Sequence, residues 1–453
     1  MRICVQEIDT MSYSTFRKFL GLVVAGFLTL SLAGPEVEAA EYWLRADTTT
    51  LTMPDGAVIP MWGFAEDADQ DLATQDGIVT VPGPAIVVPQ GDTTITINLL
   101  NNLPVASSLM IAGQPSDGSV PTFVAGRVMS ITDEAAANGG IVSYTWTDLR
   151  PGTYLYSSGT DPAVQVQMGL YGSLKADVVD GPLCSPEPGG GTCYRDIVYD
   201  EDLTLLFSEI DPKLHDAVAN DNYGPAKAMT STIGYDPKYF LINGAARSAG
   251  SSPTEIGTGG DRLLIRFLNA GLRTVVPVVQ GFYVNIVAED GFPKRYPNEQ
   301  YSLVLPAGKT HDAIFSMKCD DLPEPIRSQG KFAIYDRMGR LNNAGAPGEG
   351  GMMVEFSLVD LDGESIADIC DNCTGVANAS QLDADGDFFG NVCDADLNND
   401  LFVDFGDVAP MVRGFIWQDP NADLNADGTV NFGDIQVFVD SYMKPPGPSA
   451  LNQ

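Results

Sequence analysis

The stretch Thr93-Thr94-Ile95-Thr96-Ile97-Asn98 alternates polar and apolar β-branched residues, and this pattern decides the fold class of the chain. Leu263-Leu264-Ile265-Arg266-Phe267 has the same strand-forming character in the second half. Residues 41–360 repeat such stretches between Gly, Pro, Asn and Asp turns, a pattern that is typical of β-sandwiches. Proline, glycine and cysteine cluster between Val179 and Arg195 and indicate a domain boundary there. We therefore predict a mainly β protein with two sandwiches of similar size.

The N-terminus has the organisation of an export signal. Arg17 and Lys18 precede an uncharged, mostly apolar run at residues 19–32, and small residues follow it. The run is shorter than the ~20 residues that cross a bilayer, and no later segment is long and apolar enough to do so. We expect a signal peptide at residues 1–40, no membrane span, and a protein that is secreted or held at a bacterial cell surface.

The formal net charge of −35 is unevenly distributed. From Asp360 onward, 18 acidic residues are accompanied by only two basic ones, Arg413 and Lys444. Nucleic-acid binding needs a basic surface, so a nucleic-acid partner is not expected. A solvated acidic tail is the ordinary interpretation of such a segment. The spacing of its acids favours a metal-binding one instead.

Three acidic loops match the twelve-residue calcium-loop template, which takes side-chain oxygens from its first, third, fifth, ninth and twelfth positions. Gly428 stands at the sixth position of the last loop, where the backbone turns sharply, whereas Phe388 and Leu401 stand there in the other two. Because a random acidic run would not repeat this spacing, calcium is predicted over a solvated linker. The predicted ligands are Asp383, Asp385, Asp387 and Asp394; Asp396, Asn398, Asp400, Asp404 and Asp407; and Asp423, Asn425, Asp427, Asn431 and Asp434.

Short apolar stretches at Asp407–Trp417 and Asp434–Met443 are predicted to form short helices. Their apolar faces either pack on each other or form a partner surface, and the sequence leaves both interpretations open. The proline-rich residues 445–453 are expected to be disordered.

The C-terminal segment carries two family resemblances. Asp371-Asn372-Cys373, Asn378, Gln381 and the run from Asp383 to Asp394 resemble one thrombospondin type 3 repeat, and Asp396 to Asp440 resembles a dockerin module. The dockerin resemblance implies docking to a cohesin-type partner. A cell-surface or matrix partner is an alternative, because such modules also occur in bacterial surface proteins with no known scaffold.

Six cysteines remain after the predicted cleavage, an even number that favours disulfides in an exported protein. The first expected pair brackets a glycine-rich turn, and the second brackets the first predicted calcium loop. The third pair consists of the two cysteines that remain, although six cysteines allow several other pairings. The expected pairs are Cys184 with Cys193, Cys373 with Cys393, and Cys319 with Cys370.

A third resemblance covers both predicted sandwiches and rests on glycine- and proline-containing motifs. In the first half they are Val81-Pro82-Gly83-Pro84, Gly91-Asp92, Asn101-Asn102-Leu103-Pro104, Pro151-Gly152-Thr153-Tyr154 and Gly169-Leu170-Tyr171-Gly172. In the second half they are Ile242-Asn243-Gly244, Arg266-Phe267-Leu268-Asn269-Ala270-Gly271, Glu289-Asp290-Gly291 and Pro306-Ala307-Gly308-Lys309. Together they resemble the cupredoxin domains of multicopper oxidases, which implies two cupredoxin-like Greek-key β-sandwiches.

The copper ligands of that family are missing from the corresponding positions. A blue-copper centre takes two His, one Cys and often an axial Met, and the oxygen-reducing cluster takes further His-x-His pairs. The chain has two histidines in all. The first two His-x-His positions read Ile111-Ala112-Gly113-Gln114 and Ser157-Ser158-Gly159, and the His-Cys-His segment corresponds best to Tyr335-Asp336-Arg337. Copper is therefore not expected as a cofactor, and no catalytic residue is assigned.

The two histidines of the chain are candidate copper ligands by residue type. His215 lies in what reads as a polar interdomain turn, and His311 lies at a strand entry. Both are interpreted as surface or structural residues rather than copper ligands.

We therefore expect a secreted or cell-surface calcium-binding protein with a degenerate multicopper-oxidase scaffold and a non-catalytic binding or structural role. One alternative is a divergent copper-dependent oxidoreductase that recruits His215, His311, Met352 and Met353, and another is dockerin-borne cargo for a cohesin-type scaffold. Self-association into a homo-oligomer is also considered. The expected segments are a signal peptide (1–40), two cupredoxin-like domains (41–180 and 195–360), a thrombospondin type 3-like calcium repeat (370–394), a dockerin- or EF-hand-like module (395–444) and a disordered tail (445–453).

Overall fold

The computed structural model describes residues 40–89, 92–115, 117–177, 191–194, 197–248, 250–257, 262–324, 326–344 and 350–451. The predicted signal peptide falls almost wholly outside this set, since only its last residue, Ala40, is described. Cys184 and the side chain of Cys193 also lie outside it. Among the described residues, no helix combines the length and apolar character needed to cross a membrane.

Ten strands are described in the first half of the chain. They are β1 (Ala40–Thr52), β2 (Val58–Glu66), β3 (Ile86–Val88), β4 (Thr94–Asn101), β5 (Met110–Ile111), β6 (Thr122–Val124), β7 (Arg127–Ser130), β8 (Gly140–Thr147), β9 (Gly152–Ser157) and β10 (Tyr171–Ala176). One sheet has the order β2-β1-β4-β8 and the other β3-β10-β9-β5, while β6 and β7 form a separate hairpin. In β4, Ile95 and Ile97 are buried while Thr94 and Thr96 are less so, as the alternation of the sequence predicts.

The second sandwich repeats this plan. Its strands, with the preceding hairpin β11–β12, are β11 (Gly191–Tyr194), β12 (Ile197–Tyr199), β13 (Glu201–Ile210), β14 (Tyr239–Ile242), β15 (Thr254–Ile256), β16 (Arg262–Asn269), β17 (Pro277–Val279), β18 (Val284–Glu289), β19 (Phe292–Gln300), β20 (Thr310–Ser316), β21 (Lys331–Asp336) and β22 (Met353–Leu358). The two sheets have the orders β14-β13-β16-β20-β18-β19 and β15-β22-β21-β17. The first strand runs parallel to a non-consecutive one in both sandwiches, β1 with β4 and β13 with β16. The predicted fold class is confirmed.

Five α-helices and four short 3-10 helices complete the fold of the described residues. The α-helices are α1 (Pro162–Met168), α2 (Pro212–Ala219), α3 (Ile326–Gln329), α4 (Phe405–Trp417) and α5 (Phe432–Ser441), and the 3-10 helices are Thr232–Gly234, Cys319–Asp321, Asp368–Cys370 and Pro420–Ala422. The predicted C-terminal helices are α4 and α5, each starting two residues earlier than the apolar pattern indicated. The first three α-helices were not predicted.

A buried ion-pair network joins the two sandwiches. The Arg266 guanidinium in β16 is fully buried and donates hydrogen bonds to Asp202 of the second sandwich at 2.7 Å and to Asp177 of the first at 3.0 Å. It also donates to the Thr153 hydroxyl in β9 at 3.1 Å, and that hydroxyl donates to the buried carboxylate of Asp312 at 2.6 Å. Because a buried charge is tolerated only when it is paired and hydrogen-bonded, this network fixes the sandwiches against each other.

The second sandwich extends ten residues beyond its predicted end at residue 360. Ala367 and Cys370 are buried in its hydrophobic core, with Ile366 and Ile369 packed against that core. A disulfide joins Cys370 to Cys319. Residues 361–370 are therefore not a linker but part of the sandwich, a packing that local sequence pattern does not reveal.

The proline-rich residues after 444 bond through their backbone to residues 371–374: the Thr374 amide donates to the Pro448 carbonyl, and the Ala450 amide donates to the Asp371 carbonyl. Prolines cannot continue a helix, but their carbonyls remain good acceptors for an adjacent segment.

Candidate functional site

The first degenerate copper position lies against an aromatic ring. Gly113 follows β5, and a Cβ built on it would lie 3.1 Å from Cε1 of Tyr154 in β9. The Tyr154 ring is buried, and its hydroxyl donates to the Pro151 carbonyl at 3.0 Å. The space beside this position is therefore filled by a satisfied tyrosine, and any larger side chain at Gly113 would have to displace it.

The second degenerate copper position is occupied by a buried hydroxyl network. Ser158 donates to the Gln165 side-chain oxygen at 2.7 Å, and the Thr160 hydroxyl donates to a Glu134 carboxylate oxygen at 3.0 Å. The Ser108 and Ser130 hydroxyls lie 3.1 Å apart beside them. Because these hydroxyls already pair with one another, the site is a polar core rather than a set of free metal ligands.

The segment corresponding to the His-Cys-His motif is anchored by a buried aspartate. Asp336, at the end of β21, accepts hydrogen bonds from the Val276 amide at 2.9 Å and from the Arg340 guanidinium at 2.9 Å. Met352 is fully buried in the second core, whereas Met353 is only partly buried in β22. Asp336 therefore organises the loop that the resemblance pairs with the His-Cys-His segment.

Both histidines are buried, and the expected polar turn at His215 is wrong. His215 lies in α2 with its ring fully buried, and Nδ1 lies 2.8 Å from the Pro60 carbonyl oxygen. Burial lowers the pKa of His215 below its usual range and does the same to His311 in β20. The structural interpretation of the two histidines holds, and the surface interpretation does not.

Groups of three or more potential metal ligands occur at two places in the described part of the chain, and both consist of carboxylates alone. One contains Asp383, Asp385 and Asp387, and the other contains Asp362, Glu364 and Asp371; within each group the ligand atoms lie within 4.8 Å of one another. Oxygen-only donor sets suit hard cations such as calcium rather than copper.

We call the three predicted calcium segments loop 1 (383–394), loop 2 (396–407) and loop 3 (423–434). Their first-position carboxylates in loops 2 and 3, Asp396 and Asp423, accept hydrogen bonds from the amides four and five residues later. The amide four residues later lies 3.2 Å from the carboxylate in both loops. Two separate segments thus fold into the same frame, which curls the chain around its first carboxylate.

The twelfth-position carboxylates of loops 2 and 3 close that frame. Asp407 and Asp434 are fully buried, and each accepts an amide hydrogen bond at 3.0 Å from the residue nine positions earlier. Each also accepts one from the residue three positions earlier, at 2.8 and 2.7 Å, and so completes a capping box on α4 or α5. The first turn of each helix is therefore built from the end of its loop.

The backbone at the sixth position has the same conformation in all three loops, although only loop 3 has a glycine there. The backbone is left-handed there in all three, with φ of 79° at Phe388, 71° at Leu401 and 86° at Gly428. A non-glycine residue pays roughly 1 kcal/mol or more for this conformation. Phe388 and Leu401 point largely into solvent, where no packing adds to that cost.

Loop 1 contains a strongly perturbed carboxylate. Asp394 is almost fully buried and accepts a hydrogen bond from the Asp396 amide at 2.8 Å. Burial, together with the charges of Asp387 and Asp385, raises the pKa of Asp394 to about 8. A bound cation would reverse this effect, because it stabilises the ionised carboxylate. The predicted Cys373–Cys393 disulfide is present and closes the end of the loop.

A fourth acidic segment, residues 360–371, was not predicted; we call it the sandwich loop, and its first carboxylate is hydrogen-bonded as that of loop 1 is. Asp360 is the first carboxylate of this segment and accepts hydrogen bonds from the Gly363 and Ser365 amides, both at 2.9 Å. In loop 1, Asp383 likewise accepts hydrogen bonds from the amides three and five residues later. Ser365 stands at the sixth position with φ of 80°. The five acidic positions of the template are filled by Asp360, Asp362, Glu364, Asp368 and Asp371. The spacing was visible in the sequence, but the predicted domain boundary at residue 360 concealed it.

Comparison with known proteins identifies the scaffold. A family model described as multicopper oxidase matches residues 65–179, which lie largely in the first sandwich. The chain is multicopper oxidase-like. A solved blue copper oxidase from Nitrosomonas europaea is 20% identical, with a TM-score of 0.50 over 71% of this chain and 86% of that one. The multicopper oxidase mgLAC is also 20% identical, with a TM-score of 0.52 and the same coverage. No curated protein sequence matches the chain.

Similarity at 20% identity shows a cupredoxin-like fold. The chemistry of the site has to be inferred from the side chains that this chain carries. The multicopper oxidase-like sandwiches carry hydrogen-bonded tyrosine, serine and aspartate side chains at the positions that correspond to the copper motifs, and their two histidines are buried. Loops 1 to 3 follow the sandwiches in the chain, whereas the sandwich loop also contributes Ala367 and Cys370 to the core of the second sandwich. The candidate oxygen ligands therefore lie outside the positions that correspond to the copper motifs.

Proposed function

We propose that this is a secreted or cell-surface calcium-binding protein in which a multicopper oxidase-like scaffold has a binding or structural role rather than an oxidase activity. The observation that carries the proposal is the identical hydrogen-bonded frame of loops 2 and 3, whose first and twelfth carboxylates occupy the same places. A random acidic segment has no reason to fold twice into one frame.

The donor set fits calcium. Calcium prefers six to eight oxygen ligands and tolerates irregular geometry, and the loops offer aspartate carboxylates and asparagine amides. In loop 2 the ligands would be the five predicted side chains from Asp396 to Asp407, and in loop 3 those from Asp423 to Asp434. Asp362, Glu364 and Asp371 of the sandwich loop would add a further site. Bound calcium would supply positive charge to a segment that has almost none.

The helices that follow loops 2 and 3 support a dockerin-like role for residues 395–444. Met411 of α4 and Phe438 of α5 are buried in one hydrophobic cluster, so the inner faces pack on each other. Phe405 and Phe432 remain largely exposed on the outer faces. Both interpretations of the helix faces thus have support: one face packs, and another is available to a cohesin-like or cell-surface partner. Residues 370–394 would act as a thrombospondin type 3-like calcium repeat beside this module.

Metal analysis separates this proposal from the copper-oxidoreductase alternative. Protein purified with copper and calcium both present is expected to retain calcium, to hold no stoichiometric copper and to show no blue thiolate-to-copper absorption, because imidazole and thiolate are missing from the expected positions. Elemental analysis and the visible spectrum provide the measurements. Stoichiometric copper with phenol oxidation would overturn the non-catalytic assignment, and His215→Ala and His311→Ala would then locate the ligands.

Substitution within loop 3 tests the calcium assignment itself. Asp427→Ala removes the fifth-position carboxylate and is expected to abolish one calcium site, with affinity there falling roughly a hundredfold or more. Asp440→Ala in α5 is the matched control, because Asp440 is also an exposed aspartate but lies outside the loop. Calorimetric titration gives stoichiometry and affinity. Equal calcium binding by the two variants would show that loop 3 is not a metal site.

A further inference from the structure

A cavity of about 210 Å³ lies where the two sandwiches meet. The first sandwich lines it with residues in and next to β3, β9 and β10, and the second lines it with residues of β13. One lining residue, Val87, is 48% exposed, so the cavity opens to solvent on that side. This cavity is separate from the copper-motif positions and from the acidic loops, and neither of them gives it a role.

Strand register places polar side chains of both sandwiches on the faces that enclose the cavity. In the first sandwich, Lys175 of β10 lies opposite Thr153 of β9, and Ser173 shares the face of Lys175 because it is two residues away. In the second sandwich, Asp202 and Thr204 of β13 share a face for the same reason. The Lys175 ammonium donates to both Asp202 carboxylate oxygens at 3.0 Å, which shows that the two faces meet.

Two hydroxyls of the cavity lining have unused hydrogen-bonding capacity. Within the described part of the chain, the side-chain hydroxyls of Ser173 and Thr204 have no hydrogen-bond partner, although both residues are half-buried. The Thr153 hydroxyl, by contrast, accepts from the Arg266 guanidinium at 3.1 Å and donates to Asp312 at 2.6 Å. Because a hydroxyl can both donate and accept, Ser173 and Thr204 suit a ligand that itself carries hydroxyls.

The charged groups beside the cavity balance one another. Lys175 and Arg266 carry two positive charges, and their partners Asp177 and Asp202 carry two negative ones. Burial raises the pKa of the neighbouring Asp312, which favours its neutral form. Since no net charge remains to attract an ion, the surroundings of the cavity favour a neutral polar ligand.

We propose that this cavity binds a neutral monosaccharide of hexose size. A pyranose carries several hydroxyls around a ring whose C–H groups can face apolar side chains. Ser173 and Thr204 hydrogen-bond two sugar hydroxyls, and Asp202 accepts from a third. Ala85 and Val87 supply the apolar side of the cavity. Drug-sized ligands occupy cavities of ~300–1,000 Å³, so the smaller volume here limits the ligand to one sugar unit.

Saturation-transfer difference NMR on the purified protein tests this proposal. The neutral probes are D-glucose, D-galactose and D-mannose, and D-glucuronate is the anionic probe of similar size. At least one neutral hexose is expected to bind with a dissociation constant on the order of 1 mM, since a ligand of about twelve non-hydrogen atoms gains only modest affinity. D-glucuronate is expected to bind about tenfold or more weakly, because its charge would have to be buried without a free partner.

Two variants place the sugar in the cavity. Thr204→Val keeps the side-chain shape and Ser173→Ala is nearly as small a change, and each is expected to weaken binding about three- to tenfold through loss of one hydrogen bond. Thr254→Val is the matched control, because Thr254 is an exposed threonine in β15, in the other sheet of the second sandwich. Circular dichroism confirms that each variant is folded.

Three results would overturn the proposal. They are the absence of binding by all three hexoses, binding that both cavity variants leave unchanged, and a Thr254→Val effect as large as that of Thr204→Val. A cavity that holds only water gives the first of these results. Tighter binding of D-glucuronate than of every neutral hexose would overturn the neutral ligand class. Because both substitutions lie outside the acidic loops, the outcome does not depend on the calcium proposal.

Discussion

Removal of calcium with EDTA is expected to lower the unfolding temperature of the second sandwich as well as that of the C-terminal loops. The sandwich loop connects the two: its acidic first half faces the candidate metal site, and its second half contributes Ala367 and Cys370 to the sandwich core. The Cys319–Cys370 disulfide ties it to the sandwich as well. The domain boundary that the sequence predicts at residue 360 gives no reason to expect this coupling.

The expected size follows from linkage. A ligand that binds only the folded state stabilises it by RT ln(1 + [Ca]/Kd), about 2.7 kcal/mol per site at a hundredfold excess over Kd. For a domain of this size that corresponds to roughly 5–10 °C. Loops 1 to 3 have a small apolar core and repelling carboxylates, so EDTA is expected to melt them and to open residues 371–444 to proteases.

Calorimetry of the wild type with and without calcium provides the measurement, with limited proteolysis to assign each transition. Glu364→Gln should reproduce the sandwich part of the EDTA effect, because it removes one carboxylate from the sandwich loop. Glu255→Gln is the control, since Glu255 is an exposed glutamate in β15 of the same sandwich. If EDTA shifts only the C-terminal transition and Glu364→Gln behaves like Glu255→Gln, the sandwich loop does not couple calcium to the sandwich.

Substitution of Arg266 is expected to be the most destabilising single change between the sandwiches. Arg266→Met keeps much of the side-chain volume but removes the charge that neutralises Asp177 and Asp202 and faces Asp312. Loss of one partner from a buried ion pair costs about 3–5 kcal/mol, since the remaining charges stay buried without compensation. The expected result is a loss of this size in the free energy of unfolding, measured by urea denaturation.

A matched control lies in the same strand. Arg262 also pairs with an aspartate, Asp200 at 2.9 Å, but its side chain is 46% exposed, whereas that of Arg266 is 0% exposed. Exposed pairs contribute about 0–1 kcal/mol, so Arg262→Ala should change stability little. Similar losses for both variants would show that the buried network does not hold the sandwiches together. A large loss for Arg266→Met alone would show that it does.

The sequence by itself determined those features that depend on local spacing. Alternation in stretches such as Thr94–Asn101 specified strands, since side chains in a strand alternate between its faces. The spacing of acids specified loops 1 to 3, because the calcium-loop template is contained within twelve consecutive residues. The bracketing cysteines gave the Cys373–Cys393 pair, and elimination gave Cys319–Cys370, both of which the structure contains.

Only the tertiary structure decided which groups are buried and which distant groups they meet. His215 reads as a residue of a polar turn because its sequence neighbours are polar, yet α2 packs it against Pro60, far away in the chain. Arg266 reads as one polar residue in an apolar strand, and its partners come from β9, β13 and the residue after β10. Nothing local marks Cys370 as part of the second core. Burial and charge pairing depend on contacts between remote segments, and those contacts form only when the two sandwiches and the acidic loops fold together.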